Sequence, residues 1–202
     1  MAIFKPEMPS SGSSSSFTGI CEFGLVEFED KSGQFDWADL FLEVKVRQKG
    51  SDYDRTMQIK GSFEKEAGKI TGGSCLKRLY QFFSEIGCEA GITVDGTWES
   101  SDGQTINNIA SYLNEHFIKS NPVDGPSHDY IGYFYQEQPK VPGGKSYTRV
   151  WNKIMKNTED NKGKLEKDAQ WMKAQGYIKE MTDAVPNGAV TTGLSGNGLS
   201  NL

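Results

Sequence analysis

Glu43, Val44 and Lys45 place a carboxylate and an ammonium two positions apart, and on a strand both side chains fall on one face. With Asp30 or Asp36 across the preceding turn, this Glu-x-Lys pattern is one that holds Mg²⁺ and activates water for phosphodiester cleavage. The segment after Lys45 reads as turn and strand, without the helix that supports such a site, so a Mg²⁺-dependent nuclease ranks third among the readings. Gly144-Lys145-Ser146 matches the end of a phosphate-binding loop. Its first glycine would fall on Pro139, and a strand follows where the phosphate-binding helix N-terminus belongs. It reads as a hairpin turn. His116 and His128 lack zinc-ligand spacing, and Cys21, Cys75 and Cys88 are an odd set of ordinary thiols. No catalytic residue, metal or cofactor is expected.

A binding constellation stands out more clearly. Residues 130–156, YIGYFYQEQPKVPGGKSYTRVWNKIMK, hold four tyrosines, one phenylalanine, one tryptophan and five Lys or Arg, with Glu137 the only acid. The stretch reads as two strands around a Pro/Gly turn. In the second, Tyr147, Arg149, Trp151 and Lys153 share one face, while Thr148, Val150 and Ile154 share the other. Tyr133 and Tyr135 share a face of the first, and Lys145 sits in the turn. Rings offer stacking platforms to unpaired bases and cations hold phosphates, a combination suited to single strands, because a duplex hides its base faces. Trp37, Phe41, Lys45 and Arg47 repeat the theme on an earlier strand, with Asp39 and Glu43 on the same face.

Bulk composition bounds these readings. The chain has 202 residues, 36% hydrophobic and 11% aromatic, with a net charge of −5 and a mean hydropathy of −0.58. Those values fit one domain with a modest core and argue against nucleic-acid binding by bulk charge. No apolar run reaches a membrane span and the start lacks a secretory signal. The expectation is a protein of a reducing cytoplasm with no membrane partner.

The elements that would position these residues can be read from periodicity. Residues 1–16, ending in SSGSSSS, and residues 182–202, rich in Gly, Ser and Asn, are expected to be flexible. FTGICEFGLVEFED reads as a loosely alternating strand. WADLFLEVKVRQ puts Ala38, Leu40, Leu42, Val44 and Val46 on one side, and RTMQIKGSF turns Met57 and Ile59 inward and Gln58 and Lys60 outward. Together they form an antiparallel meander. Leu76, Leu79, Tyr80, Phe83 and Ile86 recur at helical spacing between Ser74 as N-cap and Gly87 as stop. Ile106, Ile109, Leu113 and Phe117 mark a second helix, and residues 164–180 a third. The order β-β-β-α-α-β-β-α predicts a mainly β, α+β fold: an OB-like antiparallel Greek-key barrel or sheet over 17–156, with a C-terminal helix within 157–181.

The meander 17–63, the helix around CLKRLYQFFSEIG and the hairpin YIGYFYQEQP…GKSYTRVWNK together resemble the bacteriophage single-stranded DNA-binding proteins of OB-fold type. The resemblance covers roughly residues 17–156 and is one of layout. It implies sequence-nonspecific binding of single-stranded DNA in phage DNA replication or recombination, in the cytoplasm of the infected host cell. Tyr147, Arg149, Trp151 and Lys153 would be the contacts, phage replication proteins further partners, and self-association stays open. The C-terminus departs from the pattern: many such proteins end in an acidic tail, whereas no acid follows Asp183 here. The alternative reading is a non-enzymatic virion structural or assembly protein, whose interfaces also favour Tyr, Trp and Arg.

Overall fold

The structure is a computed structural model, and it describes residues 17–118, 120–121, 125–142 and 144–181. The expected flexible ends, 1–16 and 182–202, lie outside the described residues.

In chain order the elements are β1 (Gly19–Asp30), a 3-10 turn (Ser32–Gln34), β2 (Leu40–Gln48), β3 (Asp54–Gly61), β4 (Glu64–Glu66), β5 (Lys69–Gly72) and α1 (Ser74–Ile86). There follow β6 (Gly91–Ile92), β7 (Trp98–Glu99), β8 (Thr105–Ile106), α2 (Ile109–Phe117), β9 (Ser120–Asn121), β10 (Gly125–Pro126), β11 (Tyr130–Gln136), β12 (Thr148–Lys156) and α3 (Glu159–Ala174). The main sheet has five strands in the order β12-β11-β1-β2-β3, every neighbouring pair antiparallel. It curls until β12 approaches β3, where the Gln58 amide donates to Asn152 Oδ1 at 3.3 Å. This is a mainly antiparallel α+β fold, a curled half-barrel with three helices, and its strand order is OB-like as the sequence leads one to expect.

The loose alternation of β1 has a physical origin. Its pairing with β2 shifts between Leu25 and Glu27, so Val26 is an extra residue, a β-bulge. Phe23 and Leu25 face the core before the bulge and Phe28 after it. The bulge moves the inward phase from odd to even positions. Beyond Phe23, β1 has no β11 residue opposite it, and Asn114 of α2 takes that place: its Oδ1 accepts from the Phe28 amide and its Nδ2 donates to the Phe28 carbonyl, both at 2.8 Å. A backbone edge that would otherwise be buried unpaired is thereby satisfied.

On β2 and β3, Leu40, Leu42, Val44, Val46, Met57 and Ile59 fill the barrel as expected. Helix α1 closes one opening with Leu79, Phe82, Phe83 and Ile86, and Gly87 at φ 76° ends it in the left-handed region. Its N-cap is Gly73, so Ser74 is the first helical residue instead of the cap. Ile106 belongs to β8, and Asn108 caps α2 by accepting from the Ser111 amide. Helix α3 starts earlier than its apolar spacing suggests because Thr158 caps it, and it stops before Gly176, whose φ is 73°. The short pieces β4–β10 carry too few alternating residues to be legible in sequence. Among the described residues no helix is long and apolar enough to cross a membrane.

Gly132 of β11 faces inward, and a Cβ there would lie 2.9 Å from Cε1 of the fully buried Phe23 ring. Gly132→Ala is expected to lower unfolding free energy by about 1–3 kcal/mol, the usual cost of overpacking, measured by urea denaturation. A wild-type midpoint would show that the Phe23 ring is free to move.

Candidate nucleic-acid interface

The outer face of β2 and β3 is built by a register in which Phe41 opposes Lys60, Glu43 opposes Gln58, Lys45 opposes Thr56 and Arg47 opposes Asp54. At its upper end the β1–β2 connection folds Phe35 and Trp37 onto Phe41. Ring centroids are 4.7 Å apart for Phe35–Phe41, 5.8 Å for Phe35–Trp37 and 6.1 Å for Trp37–Phe41. Trp37 is 52% exposed and Phe35 36%, whereas Phe41 is buried beneath them at 5%. Lys60 Nζ stands 5.0 Å from the Phe41 ring centroid and 6.0 Å from that of Trp37.

The connection holding these rings is tightly tied. Ser32 Oγ accepts from the Phe41 amide, the Lys31 amide donates to the Phe41 carbonyl, and Ser62 Oγ donates to the Trp37 carbonyl at 2.6 Å. Asp39 Oδ2 accepts from the Phe63 amide at 2.8 Å, and Lys65 pairs with its other oxygen. These two bonds, Lys65 first, hold the Asp39 carboxyl below the usual aspartate range.

Charge elsewhere on the face is matched internally. Lys60 Nζ donates to Gln58 Oε1, Gln58 Nε2 to Glu43 Oε1, and Lys31 Nζ to Glu43 Oε2, each at 2.7 Å. Burial pushes the Glu43 carboxyl up, but the bonds from Lys31 and Gln58 outweigh it and leave the group lowered. Lys45 pairs with Glu27 and Arg47 with Asp54. Beside this chain, a polar groove of about 550 Å³ runs between Glu43, Thr56 and Gln58 on one side and Tyr135, Arg149 and Asn152 on the other. It links the β2/β3 face to the start of β12.

The hairpin residues divide into two groups. Tyr147 is 57% exposed, Lys145 is exposed, and Arg149 reaches Glu137 at 2.8 Å while half exposed. Tyr133, Tyr135, Trp151 and Lys153 share an outer face as the alternation requires, but α3 lies over it. Tyr133 is 7% exposed, its hydroxyl bonds to Glu180 and Lys173 Nζ sits 4.6 Å above its ring. It stacks on Tyr135 at 6.3 Å, and both pack with Ala169, Ile178, Met172 and Trp151. Lys153 pairs with Asp168 of α3. The expected platform of Tyr133, Tyr135 and Trp151 is therefore largely covered by α3. What stands open is Tyr147 with Lys145 and Arg149, and across the barrel Phe35 and Trp37.

Phe35 was hidden by the turn-like KSGQFD, and Lys60 was legible as outward-facing but not as a partner of rings. A hairpin centred on Gly50-Ser51 sets Phe41 and Lys60 at equal distance from the turn, which is the signal that joins them. The remaining chemistry is modest. Asp30 accepts from Ser32, Glu43 is engaged by Lys31 and Gln58, and no group of three or more His, Cys, Asp or Glu among the described residues is arranged to hold a metal. His116 stacks on Tyr112 at 4.3 Å. Burial pushes the Cys21, Cys75 and Cys88 thiols up, which makes them poor nucleophiles. Gly144-Lys145-Ser146 lies in the β11–β12 connection, with Ser146 Oγ donating to the Glu137 carbonyl.

Fold and face together define an OB-like barrel with an aromatic–cationic patch on its second and third strands. Set against family models, curated proteins and solved structures, the chain matches none of them.

Because the Asp39 pKa is lowered on folding, its contribution is fully present above the ordinary aspartate value, about 3.9, and fades as pH falls through the depressed one. Asp39→Asn is expected to cost roughly 1.5–3 kcal/mol at pH 7, as for a hydrogen bond to a charged group, with the gap to wild type closing in acid. Denaturant titrations at pH 7 and pH 2.5 measure both, and a gap that widens in acid contradicts the assignment.

Proposed function

We propose that the protein binds single-stranded DNA non-catalytically and without sequence preference, across the outer face of β2 and β3. The observation that carries this reading is the exposed Phe35–Trp37 pair, backed by Phe41 and flanked by Lys60. It stands on the strand-two and strand-three face with the adjoining loop, the surface through which OB barrels take oligonucleotides. Stacking is sequence-tolerant because every base has a π-face. Tyr147 and Lys145 on the β11–β12 connection, with Arg149 at the start of β12, supply a second contact zone at the far side of the polar groove. A setting in phage DNA replication or recombination follows from the layout resemblance alone.

The matched ion pairs on the face favour a second reading, an assembly protein whose aromatic patch meets another protein. Salt separates the two. Few phosphates can be neutralised by cations already paired, so binding by about two or three free cations gives a log–log salt slope near −2 for single strands. Protein assembly would give no oligonucleotide binding at any salt.

Tryptophan-fluorescence titration with dT12 is the test. Trp37→Ala is expected to weaken dT12 about 5- to 150-fold, the equivalent of one stacked base at roughly 1–3 kcal/mol, with a similar loss on dC12. Trp151→Ala, being packed under α3, should lower thermal stability more than affinity. Unchanged binding in Trp37→Ala would refute the proposed site.

A further inference from the structure

A groove of about 660 Å³ separates α1 from β12, on a side of the barrel that the proposed DNA face does not use. Leu76 and Tyr80 of α1 and Ile154 and Met155 of β12 give it an apolar floor, and Tyr80 is 38% exposed. Strand β12 ends the hydrogen-bonded ladder, with β11 on one side; its far side meets β3 at Asn152, through the bond from the Gln58 amide, and is open from there towards Lys156. Its free edge faces α1, because the Lys156 amide points there and donates to Glu85 Oε2 at 2.9 Å. By strand alternation the Ile154 amide, two residues back, points into the same groove. An apolar trough beside an open strand edge is the geometry that accepts an extended peptide as an added strand.

Charge says which peptide. Lys77, Arg78 and Lys153 line the groove against one carboxylate, Glu85, in a chain whose net charge is −5. Lys153 shares its charge with Asp168, and Arg78 donates to the Lys60 carbonyl, whereas the exposed Lys77 has no carboxylate partner among the described residues and can meet an incoming acid. Beyond Asn152, which meets β3, the lining and the Lys156 amide leave the four residues Lys153 to Lys156 as open edge, roughly 13 Å of strand, which fits a peptide of about four residues. Residues 184–202 of this chain contain no acidic side chain and do not supply such a match.

From these features we infer that the α1–β12 groove is a docking site for an extended acidic segment of a partner protein, one that alternates carboxylate and apolar residues and pairs with the β12 edge. The site is independent of the DNA-binding reading.

The test uses the full chain, ¹⁵N-labelled, and a capped hexapeptide of alternating aspartate and valine. Saturable shifts of the Leu76, Tyr80 and Ile154 amides are expected. A peptide with lysine for aspartate should bind at least tenfold more weakly, and Lys77→Glu should weaken the aspartate peptide at least fivefold while leaving dT12 affinity unchanged. N-methylation of either the aspartate or the valine amides must lower affinity tenfold in one of the two cases. The inference is overturned by absent shifts, by equal binding of both methylated peptides, by dT12 moving the same amides, or by self-association that occupies the edge without peptide. Failure of dT12 to bind at all would refute the DNA reading and leave the peptide result standing.

Discussion

Strand β1 has to serve two neighbours that overlap only at Phe23. It pairs with β11 from Gly19 to Phe23 and with β2 from Phe23 to Asp30, so Phe23 is the point where the sheet turns from one partner to the other. A flat strand cannot do this and also curl the sheet, because pleat and twist fix where its edges point. The bulge at Val26 supplies the bend, and the Phe23 ring, fully buried between Tyr130 at 6.1 Å and Phe134 at 5.8 Å, fills the corner. Gly132 opposite is needed because that ring takes the space of a side chain. Asn114 then satisfies the stretch of β1 that β11 has left. The barrel follows from this one strand.

A second irregularity, in the pairing of β11 with β12, marks where the barrel stays half closed. Between Gly132–Ile154 and Phe134–Val150, β11 has one residue and β12 three, so β12 bulges as it nears β3. The two strands meet through the Asn152 side chain instead of a ladder. The seam leaves the polar groove on one side of Asn152 and the apolar groove under α1 on the other, both of which include that residue in their lining. An irregularity in pairing becomes two recesses of different chemistry.

Legibility in the sequence tracks how local each cause is. The alternation of β2 and β3 depends on neighbours within one element, and the inward residues expected there are the inward residues found. The stripe of α1 is met only in part: Leu79, Phe83 and Ile86 turn inward, but Cys75 and Phe82 join them while Leu76 is half-buried and Tyr80 stands exposed. Phe41 breaks that rule: it points outward, yet Phe35 and Trp37 bury it, a contact made by a loop whose residues look like a turn. Helix α3 is harder still. Only Leu165 and Ala169 of its residues are buried, too few to reveal a face, so nothing in its sequence announces that it covers Tyr133 and Trp151. The hairpin's ring-and-cation face is real as a pattern, and half of it is spent on packing α3.

Charge shows why rings, more than cations, must dominate any ligand contact on the β2/β3 face. A cation already paired with a carboxylate gains little from a phosphate, since it must first give up its partner, and exposed pairs of this kind are worth only about 0–1 kcal/mol to begin with. Lys31, Lys45 and Arg47 are all in that position. Lys60 is not: it is held by Gln58 and by the faces of Phe41 and Trp37, so its charge stays available above the rings. The connection carrying Phe35 and Trp37 is meanwhile fixed by Ser32, Asp39 and Ser62, so the rings lose little freedom when something stacks on them. The carboxylates of Glu27, Glu43 and Asp54 perform a different task. They neutralise the centre of the face and leave positive charge beside exposed rings at one end of it, where Lys60 stands over Trp37.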